Sequence, residues 1–170
     1  KKLRSKHDHS ILEAVANELA IDGIELISSL DYVKDLLAEK GCLTKRQPSE
    51  NEAADIEFGW KIAKEVAGME IGQCIVVKDK IVLAVEAIEG TNETIKRGGK
   101  LGRSNVVVIK LSKKGQDPRF DVPTIGTETI EYLKEAGVST IAIEAEKTLI
   151  LDKEDTIKLA DKYKIAVTAL

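Results

Sequence analysis

The chain predicts an α/β fold, with a mixed, mainly parallel sheet and flanking helices, and three observations carry that prediction. From Ile71 onward, short runs rich in β-branched residues alternate with stretches of helical period. Two of those runs, Cys74 to Val77 and Ile81 to Ala87, are separated only by Lys78, Asp79 and Lys80. That spacing reads as a hairpin, which adds antiparallel pairing to the sheet. Finally, 170 residues that are 43% hydrophobic and 32% charged suit one ordinary domain, or one domain plus a fragment of another, with enough chain for a core.

In chain order, Ile11, Ala14, Val15, Leu19 and Ile21 form a helical stripe that ends at Asp22-Gly23. Ile24 to Ile27 reads as a short strand, and Tyr32 to Glu39 as a further helix closed by Lys40-Gly41. Lys45 to Pro48 is an exposed linker and the best candidate for an interdomain boundary. Ser49 and Glu52 then form a capping box: the hydroxyl serves the backbone amides and the carboxylate reaches back. Ala53, Ile56, Trp60, Ala63 and Ala67 share one face of the helix that follows, so Trp60 belongs to packing rather than to base stacking.

After the hairpin, a helix-like stretch follows Thr91, and Arg97 to Arg103 reads as a glycine-rich basic connector without P-loop spacing. Asn105 to Ile109 is a strand, Thr127 to Ala136 a helix and Ser139 to Ile143 a strand. Lys153 to Tyr163 is the last helix and Lys164 to Val167 the last strand. No internal repeat or low-complexity tract interrupts the alternation.

Charge and cysteine content exclude several functions. A net charge of −3 with no basic stripe argues against a nucleic-acid partner. Cys42 and Cys74 lack metal-ligand spacing, which predicts a reduced cytosolic protein with incidental thiols. The apolar runs fall far short of the ~18 residues of a spanning helix, so membrane contact is expected to be peripheral. His7 and His9 flank Asp8 in a charged, unpatterned leader and are expected to be inert. With no initiator Met, the chain is expected to be a piece of a longer protein.

Two strand ends are loaded with ligand atoms. Lys110 to Gly126 sets Asp117 and Asp121 four residues apart among Lys110, Lys113, Lys114 and Arg119, between a strand and a helix. Ligands of α/β folds are held at such junctions, and acids mixed with bases suit a phosphate and metal site. Glu89-Gly90-Thr91 stands in the same way between a strand and a helix. Each of these residues also has a structural use: Asp117 and Asp121 as turn residues, Glu89 as an acid serving helix amides, Thr91 as an N-cap.

The ordered segments VLAVEAIEGTNETIKRGG, VVIKLSKKGQDPRFDVPTIG and TIAIEAEKTLILD, preceded by CLTKRQPSENEAADIEFGWKIAKEVAGMEIGQCIVV, resemble the UDP-2,3-diacylglucosamine pyrophosphatase family of lipid A biosynthesis. The branch is the one unrelated to calcineurin-like metallophosphoesterases, and the resemblance runs from about Asp22 to Leu170. It implies that residues 1–45 are a remnant of an N-terminal nucleotide-fold domain and linker, and 46–170 the C-terminal catalytic domain. The implied reaction is a magnesium-dependent attack of water on the α-phosphorus, with manganese able to replace magnesium, releasing UMP and 2,3-diacylglucosamine 1-phosphate. Asp121 is then the essential acid, Asp117 and Glu89 are metal or water partners, and Asp121 with Asp117 are the metal ligands. Gly90, Thr91, Lys110, Arg119 and Glu144 surround the substrate. The partners implied are a UDP-sugar lipid and the cytoplasmic face of the inner membrane, with a homodimer as the expected form of any self-association. Family members usually carry glycine where Glu146 stands, which puts that turn in question. Two other functions compete: a non-catalytic domain binding a nucleotide or phospho-sugar, and a hydrolase of a different nucleotide-sugar.

Overall fold

A computed structural model describes residues 8–113 and 117–170. The chain divides into two compact units, Lys1–Asp35 with Gly115–Val122, and Leu36–Lys114 with Pro123–Leu170.

In the first unit, helix α1 (Asp8–Ile21) follows the expected stripe. The expected strand at Ile24 to Ile27 does not form. The segment has no regular structure and pairs with no strand among the described residues, and Ile24 instead gives its N–H to the Leu19 carbonyl at the end of α1. A strand needs a neighbouring backbone to satisfy its amides, and alternation alone does not supply one. Ser28 then caps a short 3-10 turn, Ser29–Asp31, by accepting the Leu30 N–H.

The expected helix over Tyr32 to Glu39 is replaced by a single 3-10 turn, Lys34–Leu36. It stops because the next backbone groups are claimed by the second unit's own loop. The Ala38 N–H donates to the Thr148 carbonyl, and the Ala38 carbonyl accepts from Glu146. An i to i−4 ladder cannot form from groups already committed elsewhere.

The second unit is built on a six-stranded mixed sheet whose strands, across the sheet, begin at Gly41, Ala166, Val138, Val106, Cys74 and Ile81. The strands are β1 (Gly41–Cys42), β2 (Cys74–Lys78), β3 (Ile81–Val85), β4 (Val106–Lys110), β6 (Val138–Ile143) and β8 (Ala166–Ala169). Its centre, β4-β6-β8, is parallel, while β1 on one side and the β2-β3 hairpin on the other run antiparallel. Two short strands that periodicity did not reveal, β5 (Thr124–Ile125) and β7 (Leu149–Ile150), make a separate parallel pair. The hairpin turn places Asp79 and Lys80 at φ 51° and 58°, the left-handed pair that matches strand twist. The Asp55 carboxylate stabilises it by accepting both of their N–H groups.

Helices cover both faces. Helix α2 (Glu50–Gly68) begins with the expected Ser49–Glu52 capping box. It packs Ile56 and Ala63 onto Ile75, Val77, Val107 and Ile109, with half-buried Trp60 alongside. On the opposite face lie α3 (Thr91–Gly102), α4 (Thr127–Glu135) and α5 (Lys153–Lys162). Val76, Val108, Ile141, Ile143 and Val167 form the core beneath them with Ile95, Ile130, Leu133 and Ala160.

The glycine-rich stretch from Arg97 is therefore helix and not a connector. Its glycines allow α3 to lie close to its neighbours: a Cβ on Gly98 would fall 2.5 Å from Val76 Cβ, and one on Gly99 would fall 2.2 Å from the Ala136 carbonyl oxygen. Only at Arg103, φ 66°, does the chain leave the helix.

Candidate active site

In the second unit the chemistry collects in a row at the carboxyl ends of β3, β4 and β6. Lys110 is the last residue of β4, opposite Cys74 of β2 and beside Ile143 of β6. Glu144 immediately follows β6, and Glu86 immediately follows β3, its N–H bonded to the Cys74 carbonyl. Lys110, Glu144 and Glu86 are 9%, 7% and 6% exposed, so three charges are withdrawn from water along one strand-end row. Charges are rarely buried without partners.

Each has them. Lys110 Nζ donates to the Thr124 carbonyl at 2.8 Å. Glu144 accepts the Ser112 N–H at 2.8 Å and pairs with Lys147 at 3.4 Å. Burial works to raise the Glu144 carboxyl, but the Ser112 N–H and the Lys147 ammonium outweigh it and hold the group below the usual range. Glu86 accepts the Gln73 N–H at 3.0 Å and the Thr91 hydroxyl at 2.9 Å. The Cys74 thiol is pushed up by burial and by the Glu86 charge, against a smaller opposing effect of Lys110, which makes it a poor nucleophile.

The loop after β3 gathers three expected site residues. Gly90 is the N-cap of α3 at φ 83°, and no side chain caps the helix there. Thr91 is the first helical residue rather than the N-cap, and its hydroxyl is turned to Glu86. Glu89 accepts the Ala87 N–H at 3.0 Å, the Thr94 hydroxyl at 3.4 Å and the Arg97 guanidinium. Backbone hydrogen bonding and Arg97 hold its carboxyl below the usual range. Sequence reasoning missed Glu86, which it read as one more residue of a strand. The signal was a carboxylate placed directly after the apolar run Ile81 to Val85 and three residues before Glu89.

In the first unit, Asp117 accepts from Arg119 Nε at 3.0 Å and Nη2 at 2.6 Å, and from the Arg119 N–H at 2.9 Å. Arg119 in turn lies over the Phe120 ring. Asp121 is exposed and closes this turn, its N–H bonded to the Asp117 carbonyl. The expected residues thus divide, with Asp117, Arg119 and Asp121 in one unit and Glu89, Gly90, Thr91, Lys110 and Glu144 in the other. His7 and Lys114 lie outside the described residues, as do the side chains of Asp8 and His9.

Among the described residues, no three His, Cys, Asp or Glu side chains are gathered to hold a metal ion. Asp117 is already engaged by Arg119.

Glu146 occupies the left-handed region at φ 59°, so the turn keeps a glycine-like conformation without glycine. Its N–H bond to Ala38 and the Thr148 N–H bond to the Glu144 carbonyl hold it there. Elsewhere, Pro48, Ala53, Ile56, Trp60 and Leu170 line an apolar groove of about 400 Å³. Among the described residues, no helix is long and apolar enough to cross a membrane.

The family model of the LpxI C-terminal domain matches residues 39–168. The chain is 34% identical over 170 residues to the UDP-2,3-diacylglucosamine pyrophosphatase LpxI of Caulobacter vibrioides, a match covering 95% of this chain and 61% of that protein. It is 29% identical over 154 residues to the bifunctional purine biosynthesis protein PurH of Bacillus subtilis, covering 87% of this chain and 27% of that protein. For PurH of Bacillus thuringiensis (strain Al Hakam) the identity is 28% over 130 residues, 73% of this chain and 22% of that protein. The chain spans less than two thirds of the length of each of these relatives.

Proposed function

The chain belongs to the LpxI C-terminal domain family, and from that premise we propose that it serves hydrolysis of the pyrophosphate of UDP-2,3-diacylglucosamine to UMP and 2,3-diacylglucosamine 1-phosphate. The observation that carries this reading is the 34% identity to a pyrophosphatase of that name over 95% of the chain. The strand-end row of Lys110, Glu144 and Glu86, next to a helix start with no side-chain cap, supports it chemically. Backbone N–H groups at a helix N-terminus suit an anionic substrate.

In this reading Asp121 is the carboxylate on which turnover depends most, and Asp117 and Glu89 are metal or water partners. Gly90, Thr91, Lys110, Arg119 and Glu144 meet the substrate. Magnesium, or manganese in its place, would be held by Asp121 and Asp117 and would neutralise charge on the pyrophosphate oxygens. Glu89 and Asp117 would have to loosen their bonds to Arg97 and Arg119 to serve. A lipid substrate brings the protein to the cytoplasmic face of the inner membrane as a peripheral partner.

The similarity to part of a purine biosynthesis protein favours one second reading, a domain of this fold that binds a nucleotide or phospho-sugar without hydrolysing it. Incubation of full-length protein with the diacyl substrate and magnesium decides between them. UMP release above an EDTA control is expected. Binding without release supports the second reading, and equal release with and without metal removes the metal from the mechanism. Because the chain covers 61% of the pyrophosphatase, residues 1–170 alone are expected to release little UMP.

A further inference from the structure

Glu86 and Thr91 form a pair whose direction is set by chemistry. At 2.9 Å the Thr91 hydroxyl is the donor and Glu86 Oε1 the acceptor. The same carboxylate takes the Gln73 N–H at 3.0 Å, and the Glu86 N–H is bonded to the Cys74 carbonyl. Gly72 presses on it as well, since a Cβ there would fall 2.1 Å from the Glu86 carbonyl oxygen. Glu86 is therefore fixed from several sides and 6% exposed, while Thr91 is half-buried at the start of α3.

The hydroxyl is not spent on the helix. Gly90 is the N-cap, and it is the Thr94 hydroxyl that bonds the Gly90 carbonyl. With its hydrogen committed to Glu86, Thr91 can offer only lone pairs to anything that approaches. Phosphate oxygens are acceptors and are not served by a second acceptor; an O–H donor is.

We propose that Glu86 is a positioning residue that holds the Thr91 hydroxyl as an acceptor-only group, so that Thr91 takes a hydrogen bond from the attacking water while the phosphates are left to N–H groups and cations. The inference rests on the reading above, in which Thr91 belongs to the pyrophosphate site. It narrows the role of Thr91 from substrate contact to contact with the attacking water and adds a residue that the sequence did not single out.

Glu86→Gln tests it directly. The amide offers one acceptor and one donor, and the fixed Gln73 N–H draws the oxygen. The –NH₂ group then faces Thr91 and turns the hydroxyl's hydrogen outward. In full-length protein, kcat should fall at least ~10-fold with KM within about twofold, as expected when an interaction of the reacting group alone is lost. Thr91→Val should show the same split, Thr91→Ser should recover turnover relative to Thr91→Val, and the double variant Glu86→Gln/Thr91→Val should be no slower than the slower single variant. If Glu86→Gln fails to fold, the Thr91 pair of variants still decides. Unchanged kcat in Glu86→Gln, additive losses in the double variant, or a loss in KM alone would each overturn the proposal. Wild-type protein that releases no UMP sinks the parent reading and this inference with it; wild-type turnover with an insensitive Glu86 sinks this inference alone.

Discussion

Arg46 grips Glu52 through Nη2, at 2.7 and 2.8 Å from the two carboxylate oxygens, while its Nη1 holds the Ser139 carbonyl and the Thr140 hydroxyl. One guanidinium thereby ties the segment before α2 to the capping box of α2 and to β6. The Glu52 side chain is 7% and the Arg46 side chain 31% exposed, so the pair is partly shielded from solvent, whereas a surface pair such as Glu57–Lys61 is not.

Glu52→Ala is accordingly expected to destabilise the second unit by roughly 2–3 kcal/mol, because it removes the cap and leaves Arg46 without its carboxylate. At this size that corresponds to a fall in Tm of roughly 5–10 °C. A thermal melt checks it, with Glu57→Ala expected to change little.

The same residue predicts an acid limb. Burial alone would raise the Glu52 carboxyl, but the Ser139 side chain, the Ser49 N–H and Arg46 outweigh it and lower the group from 4.5 to about 2. A carboxyl depressed in the folded state stabilises the fold above its unfolded value and loses that contribution as pH falls. The loss should therefore run from about pH 4.5 down through about 2, with Glu144 acting in the same direction. Denaturant midpoints measured between pH 7 and 2.5 should fall less steeply for Glu52→Gln than for the wild type.

Gly98 supplies a steric test of how α3 sits on the sheet. An alanine Cβ there would lie 2.5 to 2.7 Å from three side-chain atoms of Val76, which is fully buried in β2 and has no room to give way. Helix propensity favours Ala over Gly by about 1 kcal/mol, whereas overpacking of this kind costs about 1–3 kcal/mol. Gly98→Ala is expected to be net destabilising, and Gly98→Ala/Val76→Ala should recover little of the loss, because alanine keeps the Val76 Cβ that lies nearest at 2.5 Å. Chemical denaturation of both variants decides it.

The elements that were legible in the sequence are those whose residues decide locally. The capping box at Ser49 and Glu52, the β-branched runs at β2 and β3 and the turn at Asp79-Lys80 all formed as their residue types require. What the sequence hid depends on distant partners. Tyr32 to Glu39 has helical spacing, but Ala38 is captured by Thr148, more than a hundred residues away. The glycines from Gly98 read as a loop until Val76 and Ala136 are seen pressing on them. In the site, Glu89, Gly90 and Thr91 were visible as a motif. Glu86 was not, because only the folded hairpin brings its carboxylate to the Gln73 N–H and only the loop after β3 turns Thr91 back onto it.

Asp121 offers the cleanest separation of stability from chemistry. Its side chain is exposed, and within the turn it contributes a backbone N–H that alanine retains. Removing the carboxylate should leave the melting temperature within about 2 °C, since exposed turn positions away from special contacts change stability by about 0.5 kcal/mol or less. If Asp121 supplies charge or a water contact in the transition state, turnover should fall at least ~100-fold, the usual scale for such a group. Asp117→Ala is a different case, because it also releases the Arg119 backbone N–H, Nε and Nη2 from the carboxylate and disturbs the turn itself. Steady-state UMP release by full-length Asp121→Ala, with melting curves alongside, is the measurement. Near-normal turnover would make Asp121 a turn residue and move the essential carboxylate to Asp117 or Glu89.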